Sequence, residues 1–277
     1  MFCFLSEKGV ILLLLDSIRI EGDERMIVFK EAKALKDYDS VSLAELIRSH
    51  FMESFPVSFV DKLSGAIQVA SYLHRSDVRR GARGSSVTPP YIEHPLRVAI
   101  RLYKYFGVVS ADLIIAAILH DTVEDHAFEF SAFEGVPVIR DGDEVKARKL
   151  ALEFISRHFG YAVAAIVEHV SNPVFMGERT KAEKIASYQA HVKAIVAVSD
   201  EALILKFSDF VDNAGSLHHH YAYSDRKVMY FVDRYSALIP IYREAFSSKA
   251  HSLFDADEAL KRLAKVEEQF DRFRSGE

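Results

Sequence analysis

From about residue 40 onward, apolar and polar positions recur at helical spacing. Ser42-Leu43-Ala44-Glu45 has the form of a capping box and opens a short predicted helix over 42–52. Val60, Leu63, Ala66, Ile67, Ala70 and Leu73 put one apolar face on a longer helix predicted over 59–75. Residues 76–90 break the period with Gly81, Gly84, Ser85, Ser86, Pro89 and Pro90, so a loop is expected. That loop carries Arg79, Arg80 and Arg83. Pro95 suits the first turn of a helix over 95–106, which Gly107 stops. Ser110 then caps a helix whose Leu113, Ile114, Ala116, Ala117, Ile118 and Leu119 are apolar nearly all round. A helix of that kind belongs at the centre of a fold.

Residues 128–143 lose the period and contain Gly135, Pro137 and Gly142, which predicts an exposed, inserted loop. Helices are predicted over 146–159, 161–170, 181–198 and 200–217. Two more follow, over 225–246 with an interruption near Pro240, and over 255–274. No alternating stretch calls for a sheet, except in the first 30 residues, where a short strand is expected. The pattern therefore predicts an all-α protein: one domain of about ten helices over 41–277, preceded by an N-terminal extension over 1–40. Met26 offers a second candidate start inside that extension.

Composition narrows the class. The 277 residues suffice to bury a sizeable core, and 49% hydrophobic with 27% charged residues is ordinary for a soluble globular chain. A net charge of -5 argues against general affinity for nucleic acid backbone. The only cysteine is Cys3, which excludes an internal disulfide. No apolar run approaches the roughly 20 residues that span a bilayer. The run at 10–15 has Glu7 and Lys8 before it and Asp16 after it, unlike a signal peptide, so the cytoplasm is the expected location.

The candidate chemistry lies in three stretches: His94, the pair His120-Asp121, and Asp209. Two imidazoles and two carboxylates suit a divalent ion such as Mn²⁺, Fe²⁺ or Zn²⁺, and the lack of thiolates speaks against a structural zinc knot. His120-Asp121-Thr122-Val123-Glu124-Asp125 ends the most apolar helix, so four ionisable side chains gather at the edge of a core. Uncompensated burial costs several kcal/mol per charge, and a cation is the simplest compensation. Glu124 and Asp125 fall near the same side as the pair, where acid–base groups are useful. Lys206, Asp209 and Asn213, spaced by three and four, form a polar stripe beside the apolar stripe of Leu203, Phe207, Phe210, Ala214 and Leu217.

Taken singly these motifs are commonplace: a histidine before proline often packs in a core, and charges at a helix end are usually solvated. Their joint order on separate helices is far more specific. His218-His219-His220 is expected to be a solvated helix end rather than a metal site, and Tyr221, Tyr223, Tyr230 and Phe231 are expected to pack.

The order resembles that of the HD phosphohydrolase superfamily. Pro90-Tyr91-Ile92-Glu93-His94-Pro95-Leu96-Arg97-Val98-Ala99, followed by Ala116-Ala117-Ile118-Leu119-His120-Asp121-Thr122-Val123-Glu124-Asp125, resembles the hydrolase domain of RelA/SpoT proteins. The stand-alone small alarmone hydrolases, including the metazoan SpoT homologues, are similar in size. Leu205-Lys206-Phe207-Ser208-Asp209 with Asn213 is similar to that family's last metal motif.

The resemblance implies an HD-domain helical bundle and a Mn²⁺-dependent hydrolase that removes the 3′-diphosphate of ppGpp and pppGpp, another divalent metal remaining open. It makes His94, His120, Asp121 and Asp209 the metal ligands and gives Glu124 and Asp125 the water and its proton. It places Asn213, with Tyr91, Lys206 and one of Arg79, Arg80 or Arg83, against a small phosphorylated nucleotide. No nucleic acid or membrane partner is implied, and the oligomeric state is left open. Three departures stand out: a long loop over 85–90 with no glycine next to Tyr91, Phe210 where a basic residue commonly follows the last aspartate, and the stretch over 128–143. They keep open a different nucleotide, such as NADPH or a nucleoside phosphate, or an inactive nucleotide-binding scaffold.

Overall fold

The computed structural model describes the backbone of 18–20 and 27–29, and residues 34–276 except 53–54, 82, 136–142, 174–179, 223–224 and 249. Two short strands, β1 (Ile18–Ile20) and β2 (Ile27–Phe29), pair antiparallel with Ile18 opposite Phe29. The strand expected near the N-terminus is thus a hairpin; Cys3 and Met26 lie outside the described residues.

The named elements described further on are helices. α1 (Ser40–Met52) starts two residues before the expected Ser42. The predicted capping box is not what starts it: the Asp39 carboxylate accepts from Ser42 N at 2.8 Å, and a charged acceptor suits a helix N-terminus. α2 (Val57–Leu73) buries Leu63, Ala66, Ala70 and Leu73, as its stripe predicts. α3 (Glu93–Lys104) holds Pro95 in its first turn. Ser110 Oγ accepts from Leu113 N at 3.4 Å to cap α4 (Ala111–Leu119), which is buried on all sides and packs on α2, α3 and α8 (Tyr161–Val170).

α5 (Thr122–Asp125) continues directly from this central helix. The exposed loop predicted from residue 128 requires correction. A 3-10 turn, Ala127–Glu129, and α6 (Phe130–Glu134) occupy its first half. Phe130 is fully buried and meets the Phe154 ring edge-on at 5.3 Å. A single helical turn is too short to declare itself as a period, which is why glycine and proline dominate the sequence signal here. α7 (Glu144–Phe159) packs antiparallel-wise through its buried Ala147, Ala151 and Ile155 beside α8.

α9 (Lys181–Val196) is followed by α10 (Asp200–Ala214), which buries nearly every residue, and by the short α11 (Leu217–His220). The single helix expected over 225–246 is two, α12 (Arg226–Ser236) and α13 (Ile239–Ser247), with Pro240 in the first turn of the second. α14 (Ala256–Ser275) ends the fold. Three short turns and this split raise the expected ten helices to fourteen α-helices among the described residues.

One buried apolar cluster runs from Leu35 to Phe273. On its C-terminal side Phe207 and Phe210 of α10 meet Tyr242 at 5.1 and 5.0 Å, so Phe210 is spent on packing α13 and leaves the polar stripe to its neighbours. No described helix is long and apolar enough to cross a membrane.

Candidate metal centre

Three helices deliver the predicted ligands to one point. His94 comes from the first turn of α3, His120 and Asp121 from the junction of α4 and α5, and Asp209 from the middle of α10. His94 Nε2 lies 3.2 Å from Asp209 Oδ1 and 3.5 Å from Asp121 Oδ2, and His120 Nε2 lies 3.1 Å from Asp121 Oδ1. Ligand atoms of His94, His120 and Asp209 all fall within 4.8 Å of one another.

Proton positions test whether this set fits a cation. His120 Nδ1 is 2.8 Å from Ala117 O, a carbonyl that only accepts, so Nδ1 carries the proton and Nε2 presents a lone pair. His94 Nδ1 likewise donates to Asp212 Oδ2 at 2.7 Å. Two imidazole lone pairs therefore face two carboxylates, and buried His120 Nε2 has no hydrogen bond. A divalent ion satisfies all four groups at once.

Asp212, which the sequence reading passed over, organises this side. It is fully buried and receives Arg97 Nε at 2.9 Å and Arg101 Nη1 at 2.8 Å. Burial alone pushes its carboxyl up, but the Arg97 and Arg101 guanidiniums outweigh burial and hold it well below the usual carboxylate range. Arg97 is steadied in turn by Glu93 at 3.3 Å. The available signal is Glu93, Arg97 and Arg101 spaced by four along one helix, with apolar residues between Arg97 and Arg101.

Asp209 behaves similarly: burial raises it, and Lys206 at 3.2 Å lowers it more, so it stays ionised. Lys206 is buried, and the pull of Asp209 keeps it charged against that burial. Tyr91 Oη donates to Asp121 Oδ2 at 2.8 Å, and burial with the Asp121 charge drives its phenol well up.

The acid–base pair divides. Glu124 is tied by Asn172, whose N and Nδ2 donate to its two oxygens at 2.7 and 2.6 Å. Asn172 was also missed, because nothing in the text around residue 172 points across to α5. Asp125 is pushed up to about 7, first by burial and then by the Asp121 and Glu124 charges. A cation on Asp121 cancels part of that push.

The expected substrate contacts sort clearly. Arg79 reaches the site: Nη2 donates to Asn213 Oδ1 at 2.6 Å, and Asn213 Nδ2 donates to Asp209 Oδ1 at 2.5 Å. Arg80 turns away, lying over Tyr221 at 4.0 Å and toward Asp225 at 4.0 Å. Arg83 is exposed and anchors the loop through its backbone N to His219 O at 2.7 Å. Lys206 pairs with a ligand carboxylate. The run His218-His219-His220 lies apart from the centre, with His218 against Gln269 Nε2 at 2.6 Å and His220 against Gly81 O at 3.0 Å.

A helical bundle gathers histidine, a His-Asp pair and a distant aspartate around one point, and residues 91–214 match the family model of the HD domain. Two curated relatives share one description. A guanosine-3′,5′-bis(diphosphate) 3′-pyrophosphohydrolase of Aquifex aeolicus is 32% identical over 142 residues, which is 50% of this chain and 16% of that protein. The mouse protein of the same description (Mus musculus) is 30% identical over 111 residues, 40% of this chain and 48% of that protein. The chain thus spans about half of the mouse relative and a small part of the bacterial one. Among solved structures, a metazoan orthologue of SpoT reported to hydrolyse ppGpp superposes with a TM-score of 0.54 at 17% identity. It covers 78% of this chain and 97% of that one, a likeness of fold.

Proposed function

We propose that this chain is a divalent-metal-dependent phosphohydrolase that removes the 3′-diphosphate of guanosine alarmones, releasing GDP or GTP and pyrophosphate, in the cytoplasm and with Mn²⁺. The observation that carries the reading is the convergence of His94, His120, Asp121 and Asp209, with Glu124 and Asp125 on the next turn of chain. The description shared by the two relatives supports the choice of substrate.

The four ligands would hold the ion, which would supply Lewis acidity at a phosphoryl oxygen and lower the pKa of water. The chain's own groups do the rest. Asp125, with its raised carboxyl pKa, takes the proton as the water oxygen attacks phosphorus, and gives it to the 3′ oxygen as the bond from phosphorus to that oxygen breaks. Glu124 orients the water from a position fixed by Asn172. Arg79, held by Asn213, offsets charge on the nucleotide phosphates.

The test is a panel of ppGpp, NADPH and nucleoside phosphates incubated with purified protein and Mn²⁺, run beside Asp121→Asn. Release of pyrophosphate and GDP from ppGpp, abolished in the variant, is the expected result. Hydrolysis of another panel member with ppGpp untouched rejects the substrate assignment and keeps the HD chemistry. That second reading draws on Arg80 lying over Tyr221, on Arg83 being exposed and on Phe210 lying in the core.

A further inference from the structure

A second cluster of ligating side chains sits outside the centre just described. His74 caps the C-terminus of α2, Asp77 follows in the turn that opens the arginine loop, and His126 closes α5. Asp77 N donates to His74 O at 3.1 Å, which fixes the turn. Three atoms then face one another: His74 Nδ1 is 2.9 Å from Asp77 Oδ2, His126 Nε2 is 2.6 Å from the same oxygen, and the two nitrogens are 3.1 Å apart. The two rings meet at 79°, so their edges converge rather than stack.

Proton accounting shows that positive charge belongs at this point. His126 Nδ1 is 3.0 Å from Glu129 Oε1; a carboxylate only accepts, so that nitrogen carries the proton. Neutral His126 then aims its Nε2 lone pair at a carboxylate oxygen and at a second imidazole nitrogen. Burial opposes charge on His126, yet its hydrogen bonds to Glu129 and Asp77 push its pKa above the ordinary histidine value. The site attracts either one more proton or a cation. A proton bonds to one pair of atoms, and with both nitrogens protonated the two N–H groups crowd one oxygen. A cation takes all three lone pairs.

We propose that His74, Asp77 and His126 form a second divalent-metal site, suited to Zn²⁺, that clamps the arginine loop to the catalytic turn. Two imidazoles and one carboxylate with an open fourth position are zinc ligands by type, and Glu129 behind His126 is the outer carboxylate that orients such an imidazole. Ligand atoms around a tetrahedral zinc lie about 3.3 Å apart, given bonds of about 2.0–2.1 Å. The observed edges of 2.6, 2.9 and 3.1 Å therefore need to open by about 0.2 to 0.7 Å, within reach of side-chain rotation. The Asp77 side chain is 34% exposed while His74 is buried, which gives the ion an entry path and room for a water.

The position gives the ion a use. Asp77 O accepts from Tyr91 N at 3.0 Å, so the residues between them form a closed loop that contains Arg79. The Tyr91 ring lies 4.7 Å from His74, and its hydroxyl bonds Asp121. His126 follows Asp125 directly. An ion here fastens the nucleotide-facing loop to the chain segment bearing Glu124 and Asp125. These are positioning residues, and the proposal stands whichever nucleotide is cleaved.

Metal-free protein titrated with Zn²⁺ alone, with bound zinc counted after gel filtration, tests it. Wild type is expected to retain two equivalents, and Asp77→Asn and Asp209→Asn one each. With Co²⁺ as probe, the intense visible band of a tetrahedral site disappears in Asp77→Asn and persists in Asp209→Asn. Glu129→Gln weakens the site about ten- to a hundredfold. Circular dichroism checks that each variant folds, with His126→Gln as the substitute should Asp77→Asn fail. One equivalent in wild type, or two that survive loss of Asp77 or His126, reduces the cluster to a hydrogen-bond network and overturns the proposal.

Discussion

Asp212 shows how a residue that touches no substrate governs one that holds the metal. Its two oxygens receive His94, Arg97 and Arg101, so it fixes the His94 tautomer and neutralises two guanidiniums inside the core. Asp212→Asn leaves Arg101 without this counter-charge and Arg97 with Glu93 alone, a loss of about 3–5 kcal/mol. Urea unfolding of wild type and variant reads it directly, and a loss under about 1 kcal/mol contradicts the buried network. Sequence could not rank Asp212 above the neighbouring Asp209, because a carboxylate's burial partners come from another helix. The arginines are separable at the same scale. Arg79→Ala is expected to lower kcat/KM about ten- to a hundredfold, the worth of a charged hydrogen bond, while Arg83→Ala stays within about twofold. Equal effects from both would remove Arg79 from the site.

Among the elements, the loop over 76–90 depends on one glycine. A Cβ on Gly81 would stand 1.9 Å from Val87 O, so the loop closes across this residue only because it has no side chain. The bridge between Val78 and Pro90 closes it at the other end. Gly81→Ala forces the loop open, with an expected cost of about 1–3 kcal/mol and a fall in kcat/KM as Arg79 moves. Unchanged thermal unfolding and kinetics would mean that this closure does not matter. The helices themselves were largely legible: the all-apolar stretch at 113–119 is α4 at the centre, and the stripe of Val60 to Leu73 is α2. The ligand order followed from those helices, since each metal motif sits at a helix end or on a rim. What escaped was short or distant: α6, the split between α12 and α13, and Asn172 reaching Glu124. One turn of helix has no period to detect, and a partner 48 residues away leaves no local mark.

For the molecule as a whole, the stretch at 91–214 that matches the HD model is embedded in helices on both sides, with α1 and α2 against its start and α12 to α14 against α10. Its stability therefore reports on buried groups throughout the bundle, and acid is the lever that reaches them. His191 on α9 is the cleanest. Burial lowers its pKa to about 4, and the Lys206 charge adds to the push. Its ordinary value in the unfolded chain is about 6.5, so between pH 6.5 and 4 the unfolded state binds the extra proton. Stability contributed by neutral His191 is thus full above pH 6.5 and drains as pH falls toward 4. Asp125, raised to about 7, works in the opposite sense through that range, so the total slope is a sum and the single site is isolated by difference. His191→Gln is expected to flatten the acid limb of unfolding free energy by up to about one proton in that window, with the curves of the two proteins parallel above pH 7. Urea titrations at half-unit pH steps measure the slope, and an acid limb equally steep in the variant would show that α9 does not bury this imidazole against Lys206.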